Sequence, residues 1–483
     1  MGVFRQLHDA YRHAGDWTDT AIIEQVRVYE RAERLIAERV DAVLLMYFEL
    51  GCLDEVERVA LDPVNQSYLG PVGRYTLARA HYVRRRFSLA LEQLEFVRGS
   101  ARHWEGEKLR SRILYELGRV DDALEHRAAN HRHSDGLDEV VYHSYLYQRR
   151  YKEAFAIYCA EVDAGRLRQV FGEHAEAGPE FPSVESRLIA PQGGPGDEIL
   201  LASTSPSLER RSGELTALCD PRLESLLARS FPSIRFLSVE RQKSRRHEGF
   251  VAADRPKRAD NVLFDLFDEQ AFAEAARCER VVLGRSLPVL SLEPDHQAPY
   301  SPYLSPDPAQ LNRFSSRGLG DGGTIGVVWR SEFNSPMRSI HYMELHELAP
   351  LLEGPGTFVC LQHDATPGER AELDRLTGGR VHFPDDVDVR DDFEAAAGLV
   401  ACLDVVVGVG TTILELAAAV GTNCVSMQPT LFSTWRRIDD ECRDYWHTNM
   451  RVATVDDATQ RQVCAERARV LVDQALNEAL TPT

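Results

Sequence analysis

The chain has 483 residues, 43% of them hydrophobic and 27% charged, with a formal net charge of −19. That length accommodates two or three domains with real cores and argues against a disordered chain. The acidic balance argues against a nucleic-acid binder or a protein of anionic membrane surfaces, since both partners demand a basic face. No apolar run is long enough to span a bilayer, and the first residues carry no signal-peptide core. Gln6 stands where an N-myristoylation signal wants serine or threonine. The nine cysteines are scattered without a CxxC pair, several within apolar runs (Cys219, Cys360, Cys402, Cys424). They read as buried thiols of a reducing compartment, so the expected location is the cytoplasm.

Residues 1–165 read as helical and repetitive. Four segments share one pattern: Gly51 to Val56, Arg85 to Ala90, Gly118 to Ala123 and Arg149 to Ala154. Their last positions, 56, 90, 123 and 154, are spaced by 34, 33 and 31 residues. Each follows one amphipathic helix and precedes another. A period near 34 with helix–turn–helix content is the mark of tetratricopeptide repeats, whose helix pairs bury their apolar faces only by stacking on neighbours. The turn position is glycine in two copies and arginine in the other two, and Val56 replaces the usual alanine in the first. A plain helical bundle is the other reading of this segment. The histidines His126, His131, His133 and His143 are irregularly spaced and read as a solvated turn between repeats, not a metal site.

Composition changes near residue 165, and the stretch 166–185, rich in Gly, Pro and Glu, reads as a linker. Short β-branched strands then alternate with helices. The first series covers Arg187–Pro191, Leu215–Cys219, Ile234–Val239, Asn261–Phe264 and Val281–Leu283. The second covers Thr324–Trp329, Thr357–Gln362, Val381–Phe383, Val405–Val407 and Cys424–Ser426. Such alternation predicts parallel sheets with helices on both faces. A Pro- and Asp-rich stretch from Pro299 to Pro308 separates the series, so two Rossmann-like domains are expected, over 186–310 and 320–455, with a C-terminal helix over 456–483. Ligands of such sheets sit at the carboxyl ends of the strands.

Three motifs fall at those ends. Val405 to Pro429 reads as strand, glycine turn and helix, then a second glycine turn and a second strand. The glycines Gly408 and Gly410 deliver a helix N-terminus with exposed N–H groups, which suits a phosphate. Thr411 and Thr412 add hydroxyls at its first turn, and Glu415 is placed one turn on to accept from ribose hydroxyls. An ordinary βαβ crossover with a threonine cap fits the same spacing. In the second motif, Gln192-Gly193-Gly194-Pro195-Gly196-Asp197-Glu198, glycines turn the chain and bring Asp197 to the mouth of a strand. A carboxylate there can take a proton from an attacking hydroxyl, or simply cap the next helix. The third motif ends a strand in Trp329-Arg330 and adds Arg338 on the following loop; either arginine can grip phosphate oxygens or form a surface ion pair. The Asp386-Val387-Asp388 loop reads as solvated, and no acidic pair at a strand end suggests a metal.

The order QGGPGDEI, CDPRLESLLARSFP, SLPVL, PYLSPDP, IGVVWR, RSI, FVCLQ and GTTILELAAAVG resembles bacterial tetratricopeptide-repeat glycosyltransferases. These are related to heptosyltransferases and, more loosely, to O-GlcNAc transferases. The resemblance covers about residues 186 to 450. It implies a GT-B fold, an acceptor domain followed by a nucleotide-sugar domain, behind helical repeats. It also implies transfer of a sugar from a nucleotide sugar to a protein Ser or Thr hydroxyl, without metal or other cofactor. Flagellin with a CMP-nonulosonic acid donor is the specific form it suggests. The implied base is Asp197, within an acceptor loop that includes Gln192, Gly194, Gly196 and Glu198. The implied donor set is Arg330, Arg338, Gln362, Gly410, Thr411, Thr412 and Glu415. Gly410 stands where O-GlcNAc transferases have histidine and heptosyltransferases an acid, and arginines stand where heptosyltransferases use a lysine. A heptosyltransferase-like enzyme of surface glycans and a non-catalytic repeat scaffold are the alternative readings.

Overall fold

A computed structural model describes residues 23–24, 26–27, 37–130, 138–159, 162–176, 180–239, 267–292, 302–316, 323–332 and 335–480. The chain forms two compact units. The first is Met1–Arg132 with Gln242–Ala259 and Phe333–Ile340; the second is His133–Arg241 with Asp260–Glu332 and His341–Thr483. The strand expected over Asn261–Phe264 lies outside the described residues, as do His131 and His133.

The first unit is built of helical hairpins. Its helices include Ala37–Glu49, Leu53–Leu61, Pro71–Val83, Phe87–Glu95, His103–Glu116 and Val120–Ala129. Each buries one apolar stripe, with Tyr47, Phe48, Tyr82 and Tyr115 fully enclosed. The turn between the helices of a hairpin is the same each time. Gly51, Arg85 and Gly118 adopt left-handed φ values of 76°, 59° and 74°, and Arg149, in the second unit, repeats the geometry at 57°. In every case the N–H of that residue bonds the carbonyl three back, and the next N–H reaches one five back: Gly51 to Phe48 and Cys52 to Tyr47, Arg85 to Tyr82 and Arg86 to His81. Gly118 and Arg119 repeat the pair on Tyr115 and Leu114, and Arg149 and Arg150 on Leu146 and Tyr145. This is a Schellman stop, which satisfies the last carbonyls of a helix. Glycine adopts it without penalty, whereas the two arginines carry roughly 1–2 kcal/mol of steric strain each. In the first unit, Arg85 also donates to the Ile340 carbonyl at 2.6 Å. His126 is not a solvated turn residue: Nε2 lies 2.8 Å from the buried Glu107 carboxylate, and burial lowers the ring's pKa.

The second unit holds two wholly parallel sheets. The first comprises β1 (Ala175–Glu176), β2 (Val184–Ala190), β3 (Ser212–Cys219), β4 (Arg235–Ser238) and β5 (Arg280–Leu283), in the order β1-β5-β2-β3-β4. The second comprises β6 (Thr324–Val328), β7 (Thr357–Cys360), β8 (Val381–His382), β9 (Val405–Gly408), β10 (Asn423–Gln428) and β11 (Met450–Thr454), in the order β11-β10-β9-β6-β7-β8. Read from β8, the second sheet has the doubly wound order 3-2-1-4-5-6. Its central strands are buried on both faces, which explains the near-continuous apolar runs Ile325–Val328 and Val405–Val407.

Elements outside the expected boundaries are built into this unit. Helices Glu139–Tyr147 and Tyr151–Cys159 belong to it: Tyr142, Leu146 and Phe155 share an apolar cluster with Trp446. His143 likewise packs on Phe432, with ring centroids 4.3 Å apart. The stretch 166–185 is not a free linker. It contains the end of helix Val162–Phe171 and β1, which pairs with β5. Glu176 on β1 receives Arg187 Nε at 2.7 Å and Nη2 at 3.0 Å, and that guanidinium is wholly buried. The C-terminal helix Arg461–Leu480 covers the second sheet, burying Cys464, Ala468 and Val472 in the same core as Val425 and Val327.

Candidate functional site

Each sheet has a topological switch point, where strand order reverses and the carboxyl ends leave a crevice. In the first sheet it lies between β2 and β5, in the second between β6 and β9. A buried glutamine braces the first switch point, and another lies beside the second. The Gln192 carboxamide oxygen accepts from the Arg285 N–H at 3.3 Å, joining the ends of β2 and β5. That of Gln362 accepts from Trp329 N–H at 3.3 Å and Arg330 N–H at 3.1 Å, while its amide donates to Asp364 at 2.6 Å. Gln362 therefore ties the end of β7 to the end of β6.

β9 runs close to β6: a Cβ on Gly408 would meet the Val328 carbonyl at 2.6 Å. The chain then turns through Val409 and the exposed Gly410, whose front is open space, into helix Thr412–Ala419. Thr411 is its extended N-cap, and its own side chain makes no capping hydrogen bond. The Thr411 hydroxyl is enclosed and has no hydrogen-bond partner. The N-terminal amides and the positive end of the helix thus lie at the open turn of Gly410, with the Thr412 hydroxyl turned to Gly196 and that of Thr411 enclosed beside them.

Glu415 points elsewhere. It is buried, and Arg436 Nη1 donates to its Oε1 at 2.5 Å. Arg436 also donates to Asp444 at 2.7 and 3.0 Å, and Nδ1 of the fully buried His447 lies 3.6 Å from Glu415 Oε2. Burial opposes ionisation of Asp444, but Arg436 and the bond with His447 hold its carboxyl well below the usual range. Glu415, expected to meet a ribose, is thus engaged in an internal ion pair. Its partners lie more than twenty residues on, and no local spacing reveals them.

On the other side, Pro195–Ala202 is a short helix with Gly194 as N-cap. Asp197, exposed, folds back so that Oδ2 accepts from the Gly194 N–H at 2.8 Å. Gly193 makes room for this turn with φ 96°; any Cβ there would stand 2.2 Å from that oxygen. The carboxylate is thus a helix cap that also faces solvent at the end of β2. Glu198 is buried and accepts from the Asp220 N–H at 2.9 Å, bracing β3. Gly196 stands against the first residue of the other helix: a Cβ on it would be 3.1 Å from Thr412 Oγ1. The two helix N-termini therefore meet.

Of the two arginines, only Arg330 belongs to the second unit. Arg330 is engaged by Asp364 Oδ2 at 2.5 Å and by Glu369 at 3.1 and 3.0 Å, and it also donates to the Asp364 carbonyl at 3.0 Å. Burial works against it, yet Arg330 and the Thr366 N–H bring the Glu369 carboxyl down to about 2. Arg330, just past the end of β6, is thus held by Asp364 and Glu369. Arg338 lies in the first unit, on helix Pro336–Ser339. The second unit brings together Asp197, Gly196, Thr411, Thr412 and Gly410, and sets Arg330 and Glu415 into separate ion pairs.

No protein-family model matches the chain. Protein FlbA of Caulobacter vibrioides is 29% identical over 272 residues, 55% of this chain and 42% of the relative. The chain thus matches less than half the length of that curated relative. Among solved structures, the chain is similar to a glycosyl transferase family 9 protein from Veillonella parvula, at 11% identity and a TM-score of 0.41, over 62% of this chain and 100% of that one. It is similar to ADP-heptose lps heptosyltransferase II of E. coli at 12% identity and a TM-score of 0.39, over 61% and 100%. An O-GlcNAc transferase variant of Thermobaculum terrenum matches at 14% identity and a TM-score of 0.28, over 96% and 94%.

Proposed function

We propose that this chain is a GT-B glycosyltransferase that moves a sugar from a nucleotide sugar to a protein hydroxyl. The observation that carries the reading is the meeting of two helix N-termini at Gly196 and Thr412. One presents an exposed carboxylate, the other amides not capped by Thr411, whose enclosed hydroxyl has no hydrogen-bond partner. In this reading the nucleotide phosphate sits before Gly410, on the amides and hydroxyls of Thr411 and Thr412. Asp197 accepts the proton of the acceptor hydroxyl as its oxygen bonds the anomeric carbon. The bond from that carbon to the phosphate oxygen breaks, and the phosphate leaves with the electron pair. Amides and hydroxyls aimed at the departing charge are the stabilising device, which makes transfer without a metal part of the proposal.

The repeated Schellman turns at a spacing near 34 support a tetratricopeptide reading of the hairpins, with their groove holding the protein acceptor. Flagellin with a CMP-nonulosonic acid donor is the specific form proposed, in the cytoplasm. Among the described residues, no helix is long and apolar enough to cross a membrane.

The capture of Glu415 by Arg436 favours a second reading, a repeat scaffold that retains the fold without transfer. A panel of CMP-, UDP-, GDP- and ADP-sugars separates the two. The transferase reading expects one class to raise the melting temperature and to be consumed in the presence of the acceptor. The scaffold reading expects neither.

A further inference from the structure

Three distant segments converge on one phenolic hydroxyl in the second unit. Tyr303 lies in the connection that follows the first sheet. Its N–H and that of Leu304 donate to the Ala419 carbonyl at 2.9 and 3.0 Å, at the C-terminal end of the Thr412 helix. Its hydroxyl donates to the Ile199 carbonyl at 3.0 Å, two residues after Asp197, and lies 3.2 Å from His447 Nε2. A carbonyl can only accept, so the phenolic proton is committed to Ile199 and the imidazole N–H is left to donate to the phenolic oxygen. The Tyr303 and His447 rings stack, with centroids 6.0 Å apart and planes at 16°. Beyond His447, Nδ1 faces Asp444 at 3.5 Å and Glu415 at 3.6 Å, and Arg436 bonds both carboxylates. Hydrogen bonds thus link the Asp197 helix through Tyr303 to His447, whose ring lies beside Glu415 of the Thr412 helix without a hydrogen bond from Nδ1. Phenylalanine would fill the same volume, so packing alone does not require the hydroxyl.

We propose that Tyr303 is a positioning residue for glycosyl transfer, its hydroxyl fixing the helix that carries Asp197 against the helix opened by Thr411 and Thr412. The inference rests on the transferase reading above. Tyr303 makes no contact with donor or acceptor in that scheme. It acts by holding the base at the correct distance from the anomeric carbon, and small misplacements of reacting groups carry large losses in rate.

The test is Tyr303→Phe in the full chain, using the nucleotide sugar that most stabilises the wild type. The expected result is a fall in kcat of at least about tenfold, with donor KM and nucleotide affinity within about twofold. Amide hydrogen exchange should rise in Pro195–Ala202 while the melting temperature changes by only a few degrees. A kcat within about twofold of wild type overturns the inference, as does a parallel loss of donor affinity and melting temperature, which marks a merely structural role. If the wild type turns over no nucleotide sugar, the transferase reading fails instead. Exchange then decides on Tyr303 alone: unchanged protection in Pro195–Ala202 and Thr412–Ala419 overturns its part in joining the helices.

Discussion

Gly196 and Thr412 are direct neighbours across the two parallel sheets, so close that a methyl group on Gly196 would stand 3.1 Å from the threonine hydroxyl oxygen and 3.2 Å from its Cα. A larger side chain there would wedge the two helices apart. The contact explains why a glycine follows Pro195, and it sets the exposed carboxylate of Asp197 one residue from the place where the helices meet.

Asp197 caps its helix and is the proposed base, and one substitution separates the two roles. Asp197→Asn keeps an oxygen able to accept from the Gly194 N–H, so helix capping should survive with a loss of about 1 kcal/mol or less. Loss of a general base lowers turnover by about 10²–10⁴-fold, with nucleotide affinity nearly unchanged. Melting temperature and single-turnover rate on the same protein distinguish the cases. Near-normal turnover would leave Asp197 as a cap alone.

Arg436 neutralises two buried carboxylates, so Arg436→Met should destabilise the second unit by roughly 3–5 kcal/mol at neutral pH, read from urea midpoints. The wild type carries an acid signature of the Arg436–Asp444 pair and of the separate Arg330–Glu369 pair. The carboxyls of Asp444 and Glu369 are both held below their ordinary range, Glu369 at about 2 against 4.5. Their contribution is present above the unfolded carboxylate range and is lost as pH falls through the folded values. Stability should therefore drop steadily from about pH 4.5 towards pH 2. An Arg436→Met midpoint equal to wild type at pH 7 would show that the Arg436 pairs contribute nothing net.

The last helical hairpin belongs to the two-sheet unit, which fixes where the chain can be shortened. A chain beginning at Ser183 loses Phe155, Leu146 and Leu167 from buried positions and strips Glu176 from Arg187. Each large apolar loss costs about 2–5 kcal/mol, and an unpaired buried guanidinium a similar amount. That chain should not unfold cooperatively, whereas one beginning at Asp138 should. Thermal melts followed by circular dichroism compare them; equal cooperativity would place the hairpin outside the core.

The sheets were largely legible because buried parallel strands are short β-branched runs bounded by glycine and proline, and nine expected strands coincide with β2–β10. Two strands were missed. β1 is only Ala175–Glu176, too short for any periodicity, and Met450–Thr454 follows a long irregular segment that hides its alternation. Local turn chemistry at Gly51, Arg85, Gly118 and Arg149 could be read from spacing because a Schellman stop is a local device. The fates of Arg330 and Glu415 could not. Their charges are claimed by Asp364, Glu369 and Arg436, which reach them only through tertiary structure. Tyr303 and His447 carry no motif at all, and only the folded chain brings them together.

The most direct test is calorimetric titration of the full chain and of the Thr411→Ala, Thr412→Ala double variant with the nucleotide of the best-stabilising sugar. The Thr411 hydroxyl has no partner to lose in the protein, and its backbone bonds survive substitution, so the variant should fold normally. Each hydrogen bond lost to a charged phosphate is worth roughly 1.5–3 kcal/mol, so the variant should bind at least about tenfold more weakly. Equal affinity in the two proteins, or binding of no nucleotide by the wild type, would contradict a donor site at the Thr412 helix.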